Sequence, residues 1–131
     1  MKIALDFDGV LHSDTQGIGS GNVIPDPPVP GAMEKLHELL HCDVVTHIVI
    51  FSLRCGGEHG IKAMCEWIAR EYIAKYPTKE FPHIPFSKIS FSSVKPHVDL
   101  FIDDRNLAFN GNWSDPQFSL ENLLNFKPWN R

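Results

Sequence analysis

Cysteine is scarce in this sequence, and the cysteines that are present show no metal-binding pattern. The three residues are Cys42, Cys55 and Cys65, and no two of them form the CxxC pair of a zinc site or a redox motif. Their odd number, and the absence of a signal peptide before the strand-like run from Lys2 to Phe7, favour a reducing, cytoplasmic setting. We therefore expect three free thiols that fill buried or half-buried positions like other small apolar side chains.

Long apolar runs and an excess of positive charge are absent as well. No stretch approaches the roughly 18 uninterrupted apolar residues of a membrane helix, so we expect no membrane partner. The formal net charge is −4, which argues against a protein that tracks along nucleic acid but leaves recognition of a nucleic-acid end open. With 131 residues, of which 43% are apolar and 21% charged, the chain is predicted to form a single domain, residues 1–131, with its own core.

Short apolar runs alternate with stretches of helical periodicity along the chain. The predicted strands lie at residues 2–7, 46–51, 88–92 and 100–102. Helices are predicted to begin near Gly31 and after Glu58, and a last helix is predicted from Asp115, as its N-cap, through Leu124. The apolar side of the second helix is predicted to comprise Ile61, Met64, Cys65, Ile68, Ala69 and Ile73. The glycine- and proline-rich segment from Ser13 to Pro30 is predicted to be an irregular loop, of the length that often forms a lid or binding loop. This alternation predicts an α/β fold with a parallel sheet covered by helices on both faces.

Ionisable or hydroxyl side chains follow every predicted strand. In chain order they are Asp6 and Asp8, then Ser52 and Arg54, then Lys95, then Asp103 and Asp104. Because the carboxyl ends of parallel strands lie at one edge of a sheet, where ligands bind in open α/β folds, we expect these side chains to lie close together.

The electrostatics of such a cluster indicate a metal and a phosphate. Neighbouring carboxylates repel one another and raise one another's pKa, and a hard divalent cation with oxygen ligands, Mg²⁺, relieves that repulsion. Arg54 and Lys95 add positive charge, and the planar fork of an arginine can donate two hydrogen bonds to one phosphate group. Ser52 can donate another. We therefore predict that Ser52, Arg54 and Lys95 bind a phosphate.

The spacing of the first two acids indicates how that phosphate reacts. Aspartate is a known nucleophile that forms an aspartyl-phosphate, and phosphoryl transfer otherwise needs mainly positioning and charge neutralisation. Residues one and three of an extended segment project from the same face. Asp8 is therefore predicted to act as the general acid and then the general base, while Asp6 attacks phosphorus.

The same residues resemble the haloacid dehalogenase superfamily of phosphohydrolases. Its signature Asp-x-Asp-Gly-[Thr/Val]-[Leu/Ile] is matched by residues 6–11, DFDGVL. The family's hydroxyl after a second strand is matched by Ser52, its lysine by Lys95 and its paired acids by Asp103 and Asp104, in the family's order. The segment from Val94 to Trp113 is also similar to short bacterial and phage proteins of this superfamily.

This resemblance implies a fold and a set of roles. The fold would be a three-layer α/β/α, Rossmann-like arrangement with a central parallel sheet and no separate cap domain. Asp6 would be nucleophile and Mg²⁺ ligand, and Asp8 would ligate the metal through its backbone carbonyl. Asp103 would ligate the metal directly, and Asp104 directly or through water. The implied activity is Mg²⁺-dependent hydrolysis of a phosphomonoester.

Several alternatives remain open at the level of sequence. Ser52-Leu53-Arg54 together with the segment 102–105 also resembles the 3′-phosphatase domain of phage polynucleotide kinase, so the substrate is a phosphorylated small molecule or a nucleic-acid end. A catalytically silent binding protein that keeps the fold is the other functional class. Ser52 is alternatively a helix cap, Arg54 a surface residue, and Arg105 a structural partner of the carboxylates. His12 is interpreted as a loop histidine. The oligomeric state is not predicted.

Overall fold

The computed structural model describes residues 1–17, 22–80 and 84–131 and has an α/β fold. Its helices and strands are β1 Lys2–Asp6, α1 Ala32–Leu40, β2 His47–Phe51, α2 Glu58–Lys75, β3 Ile89–Ser92, β4 Leu100–Ile102 and α3 Leu120–Leu124, with short 3-10 turns at Leu53–Gly56, Phe86–Lys88 and Pro116–Phe118. Residues 18–21 of the predicted loop lie outside this description. No helix in the described part of the chain is both long enough and apolar enough to cross a membrane.

The four strands form one parallel sheet in the order β3-β2-β1-β4. Lys2 pairs with His47 and Asp6 with Phe51, while Ala4 pairs with Phe101 on the other side of β1. The strands predicted from the sequence are thus confirmed to within a residue or two at their ends. The β1 strand lies at the centre, so the polar residues that follow it have neighbours on both sides.

One face of the sheet packs against α1 and α2. Alternate residues of a strand point to opposite faces, and Ile3, Leu5, Ile48 and Ile50 project into one buried cluster that also holds apolar side chains of both helices, among them Met33, Leu36, Leu40, Met64, Trp67, Ile68 and Tyr72. This cluster is the hydrophobic core, and it fixes β1 and β2 as a rigid base for the site.

The opposite face carries Ala4, Val49, Phe51 and Phe101, the last three of them half-buried. The chain that follows β4 has only the short helix α3, all of whose residues are exposed. A parallel sheet with two packed helices is therefore observed, consistent with a Rossmann-like fold. The second helical layer and the lack of a cap stay predictions.

Three details differ from the sequence-based expectation. The predicted last helix is divided, because Ser119 is extended and caps α3 while Asp115 caps the preceding 3-10 turn. The apolar side of α2 was expected to include Ile73, yet Trp67 and Tyr72 are buried and Ile73 is exposed. The expectation for the cysteines is wrong for Cys65, which is exposed on α2, while Cys55 is buried and Cys42 intermediate; all three are free.

Candidate active site

Three carboxylates meet at the carboxyl edge of the sheet. Asp6 ends β1, Asp103 and Asp104 follow β4, and one oxygen from each lies within 4.8 Å of the others. The parallel pairing of β1 with β4 produces this approach, because it brings the ends of two strands that are far apart in sequence to the same height. Two oxygens bound to one Mg²⁺ are at most about 4.2 Å apart at Mg–O distances of 2.0–2.1 Å, so the cluster is near the size of a metal site.

Burial and repulsion from the neighbouring carboxylates raise the pKa of Asp6. Burial raises its pKa from the ordinary 3.8 to about 7, the Phe7 backbone N–H opposes that rise, and the charges of Asp103 and Asp104 add to it. The Phe7 N–H donates to Asp6 Oδ1 at 2.7 Å. With these neighbours alone Asp6 is thus protonated in a large fraction of molecules at neutral pH.

The side chain of Asp104 is almost completely enclosed. Its side chain is 2% exposed, and its Oδ1 has no hydrogen-bond partner among the described residues. Arg105 Nε lies 3.9 Å from Asp104 Oδ2, which agrees with the interpretation of Arg105 as a partner of the carboxylates. A buried, unpaired carboxylate oxygen costs free energy unless something binds it.

Gly9 allows Asp104 to come this close. Gly9 has φ +87°, a backbone conformation that favours glycine, and a Cβ at this position would collide with the Asp104 carboxylate. The glycine of the Asp-x-Asp-Gly segment therefore allows the loop after β1 to contact the loop after β4.

Asp8 has a different environment from Asp6. Arg54 Nε donates to Asp8 Oδ2 at 2.7 Å and Arg54 Nη2 to Oδ1 at 3.0 Å, so the pair is bidentate. Burial acts to raise the pKa of Asp8, but hydrogen bonds from His12 and Arg54 outweigh it and lower the pKa. Arg54 is 5% exposed, so it is not a surface residue. Whether it also contacts a phosphate stays a prediction.

His12 completes this buried pair. It is fully buried, its Nε2 accepts the Asp26 backbone N–H at 3.1 Å, and its Nδ1 lies 2.8 Å from Asp8 Oδ1. The proton must then sit on Nδ1 and point at Asp8. His12 is thus a buried hydrogen-bond partner rather than an ordinary loop histidine.

A second group of possible ligands consists of Asp8, His12 and Asp14. Both nitrogens of His12 are already engaged, and Arg54 neutralises Asp8. Asp14 Oδ2 in turn accepts from Arg131 Nη2 at 3.0 Å, whereas its Oδ1, like that of Asp104, is buried without a hydrogen-bond partner among the described residues. These contacts indicate that Asp8, His12 and Asp14 form a buried polar network rather than a metal site.

Ser52 and Lys95 occupy different places around the carboxylates. Ser52 is buried, accepts the Arg54 N–H on its Oγ at 3.1 Å and so caps the following 3-10 turn; it also lines a small cavity with Asp6, Asp8, Asp14 and Arg105. Both the cap and the phosphate-binding interpretation therefore fit Ser52. Lys95 is exposed, and its Nζ lies 5.2 Å from the centre of the Phe101 ring.

The chain end also reaches this region, which the sequence analysis did not anticipate. Trp129 Nε1 donates to the Gly9 carbonyl at 2.7 Å, Asn130 donates to the Ser13 carbonyl at 3.0 Å, and Arg131 donates to the Asp14 carbonyl at 2.6 Å. Segment 129–131 thus braces the loop that follows β1. Hydrogen bonds across more than a hundred residues leave no local pattern in a sequence.

Comparison with known proteins adds no relative. No protein-family model matches the sequence, no curated protein matches it, and no solved structure matches the fold.

Proposed function

We propose that this protein is a Mg²⁺-dependent phosphomonoesterase in which Asp6 is the nucleophile. The observation that carries the proposal is the approach of Asp6, Asp103 and Asp104 to within 4.8 Å at the carboxyl edge of the sheet, with a buried Asp104 oxygen that no described residue satisfies. The fold proposed with it is the three-layer, capless arrangement of the haloacid dehalogenase superfamily.

The charge of the site supports a divalent cation. Arg54 balances Asp8 and Arg131 balances Asp14. Among the described residues, the one ion pair of the cluster of Asp6, Asp103 and Asp104 joins Arg105 Nε to Asp104 Oδ2, at 3.9 Å. With all three carboxylates ionised, two negative charges remain after Arg105 is counted, which matches the charge of Mg²⁺, and oxygen is the ligand type that this ion selects. Asp6, Asp103 and Asp104 would hold it, with the Asp8 carbonyl as a predicted fourth ligand.

When bound, Mg²⁺ would neutralise charge on the phosphate oxygens and favour the ionised form of Asp6. The remaining steps belong to the chain itself. Asp6 would attack phosphorus and form an aspartyl-phosphate, and Ser52, Lys95 and Arg54 or Arg105 would bind the phosphate oxygens. Water would then release phosphate from Asp6.

Asp8 would act as the general acid in the first half-reaction and as the general base in the second. Because its pKa is lowered, Asp8 is ionised at neutral pH and is suited to accept a proton from the attacking water. In the first half-reaction Asp8 would first have to take up a proton from solvent and then deliver it to the leaving oxygen. The Nδ1–H of neutral His12, on an atom 2.8 Å from Asp8, would orient the carboxyl group and keep its own proton. Arg54 keeps the carboxylate oriented in both steps.

The test is hydrolysis of a generic monoester, p-nitrophenyl phosphate, with Mg²⁺ or with chelator. The unaltered protein should release phosphate only with Mg²⁺, and Asp6→Asn should lose at least about 1,000-fold in rate, the scale expected for an essential nucleophile. Hydroxylamine should trap the acyl phosphate as a hydroxamate on Asp6, located by mass spectrometry. The matched control is Asp43→Asn, an exposed carboxylate before β2 at the opposite edge of the sheet. Equal rates for Asp6→Asn and Asp43→Asn would remove Asp6 from the nucleophile role.

A further inference from the structure

A large cavity lies against the sheet face that α1 and α2 leave uncovered. It measures about 640 Å³, and its lining includes Phe51, Phe101, Leu107, Lys95, Asn106 and Asp103. Ligand-binding pockets usually span roughly 300–1,000 Å³ with mostly apolar walls and a few polar groups, and this cavity has both properties.

The cavity adjoins the carboxylate cluster. Asp103 belongs to both, and Phe51 is the register partner of Asp6, so the two side chains leave the sheet on the same face. A phosphate ester held at Asp6 and Asp103 can therefore place its ester group against Phe51. The cavity is in the right place to hold the rest of the substrate.

The walls favour a flat aromatic group. The rings of Phe51 and Phe101 contact each other edge to face, with centres 6.3 Å apart and planes at 72°, and Leu107 adds an apolar wall. Such surfaces suit a planar π system, whereas a sugar would place hydroxyl groups against carbon without partners. Asn106 adds an amide that can both donate to and accept from the edge of a base.

We propose that this cavity receives the base of a nucleoside phosphomonoester, so that Phe51 and Phe101 select nucleotides as substrates for the phosphatase site. This inference rests on the proposed function for its kinetic test. The base can belong to a free nucleotide or to the phosphorylated end of a nucleic acid, because the cavity meets the same chemistry in both.

The experiment compares kcat/KM for ribose 5-phosphate, adenosine 3′- and 5′-monophosphate and a short 3′-phosphorylated oligonucleotide. At least one nucleoside compound should exceed ribose 5-phosphate about 10-fold or more, since stacking of a base on aromatic side chains is worth roughly 5- to 150-fold. The oligonucleotide arm distinguishes the two sources of the base. Equal kcat/KM for ribose 5-phosphate and all the nucleoside compounds would overturn the inference and leave the phosphatase proposal intact.

The variants are Phe51→Leu and Phe101→Leu, which keep apolar volume but remove the ring, with Phe109→Leu as the matched control. Phe109 is 54% exposed, contacts Trp113 and Phe118 and does not line the cavity. The two cavity variants should lose the preference for the nucleoside, and Phe109→Leu should keep it. The rate on ribose 5-phosphate should stay within about 2-fold for Phe51→Leu. Phe101 also contacts Lys95, so Phe101→Leu is compared by its preference for the nucleoside alone. A preference that survives both cavity variants would refute the assignment.

If no compound is hydrolysed, the proposed function fails and equilibrium binding decides the inference. Adenosine monophosphate should then bind Asp6→Asn protein more tightly than ribose 5-phosphate, and Phe51→Leu added to Asp6→Asn should abolish the difference. Equal binding of the two compounds would reject the cavity as a base site.

Discussion

The raised pKa of Asp6 predicts an unusual dependence of stability on pH, which Mg²⁺ should reverse. In the unfolded chain Asp6 titrates near its ordinary 3.8, whereas in the folded protein without metal its pKa is about 7. Between these values the folded state binds a proton that the unfolded state does not. The free energy of unfolding therefore falls as the pH rises through this range, and the loss is complete above pH 7.

The size of the effect follows from the shift. One pKa unit corresponds to about 1.4 kcal/mol, so the full shift of about three units sets an upper bound near 4 kcal/mol. Between pH 5 and 8 the titration covers about two of those units, and the partial exposure of Asp6 reduces the effect further, to about 2 kcal/mol. Removing the charge with Asp6→Asn should abolish this contribution.

The assay is urea unfolding at pH 5 and pH 8, with chelator or with Mg²⁺, on the unaltered protein and Asp6→Asn. Histidine titration also occurs in this range; burial lowers the pKa of His37, for example. The difference between the two proteins cancels such contributions. Asp8 adds little, because its lowered pKa gives stability that is lost only as the pH falls below its ordinary 3.8.

With chelator, the unaltered protein should lose about 2 kcal/mol more than Asp6→Asn between pH 5 and 8. Millimolar Mg²⁺ should stabilise the unaltered protein at pH 8 and have much less effect on the variant, because the ion binds the folded state through the ionised cluster. Parallel pH profiles for the two proteins in chelator would refute the burial argument. No stabilisation of the unaltered protein by Mg²⁺ at pH 8 would refute the metal site.

Three further substitutions test the contacts that shape the site. Arg54→Met leaves Asp8 buried without its ion-pair partner and should lower the free energy of unfolding by about 3–5 kcal/mol. Adding Asp8→Asn should recover part of that loss, because it removes the unpaired charge. A loss below about 1 kcal/mol in urea unfolding would contradict a buried ion pair. Gly9→Ala should lower the free energy of unfolding by at least about 1–2 kcal/mol, because it combines an unfavourable φ with a collision at Asp104. It should also weaken Mg²⁺ binding, measured by calorimetry. Unchanged Mg²⁺ affinity would refute a role for the contact between Gly9 and Asp104. Trp129→Phe removes the hydrogen bond to the Gly9 carbonyl and should lower the free energy of unfolding by about 0.5–1.5 kcal/mol. The control is Trp113→Phe, because Trp113 is exposed, and it should have no effect. Equal effects of the two substitutions would show that the Trp129 hydrogen bond does not stabilise the fold.

The sequence by itself determined the strands, the first two helices and the residues at the ends of the strands. Buried parallel strands are short apolar runs, and the polar residues after β1 and β4 interrupt those runs so sharply that Asp6 and Asp103 could be placed at one edge. These features depend on neighbours along the chain, and for that reason they can be recognised without coordinates.

The tertiary structure alone decided which of those groups pair with one another. The bidentate contact of Arg54 with Asp8 spans 46 positions, and the hydrogen bond from Trp129 to Gly9 spans 120. The tertiary structure also placed Trp67 against Phe7 and Tyr72 against His37 of α1, so that both are buried on the inward face of α2 and Ile73 is exposed. Contacts of this kind arise when distant segments are brought together by the sheet, and no local pattern of residues encodes them.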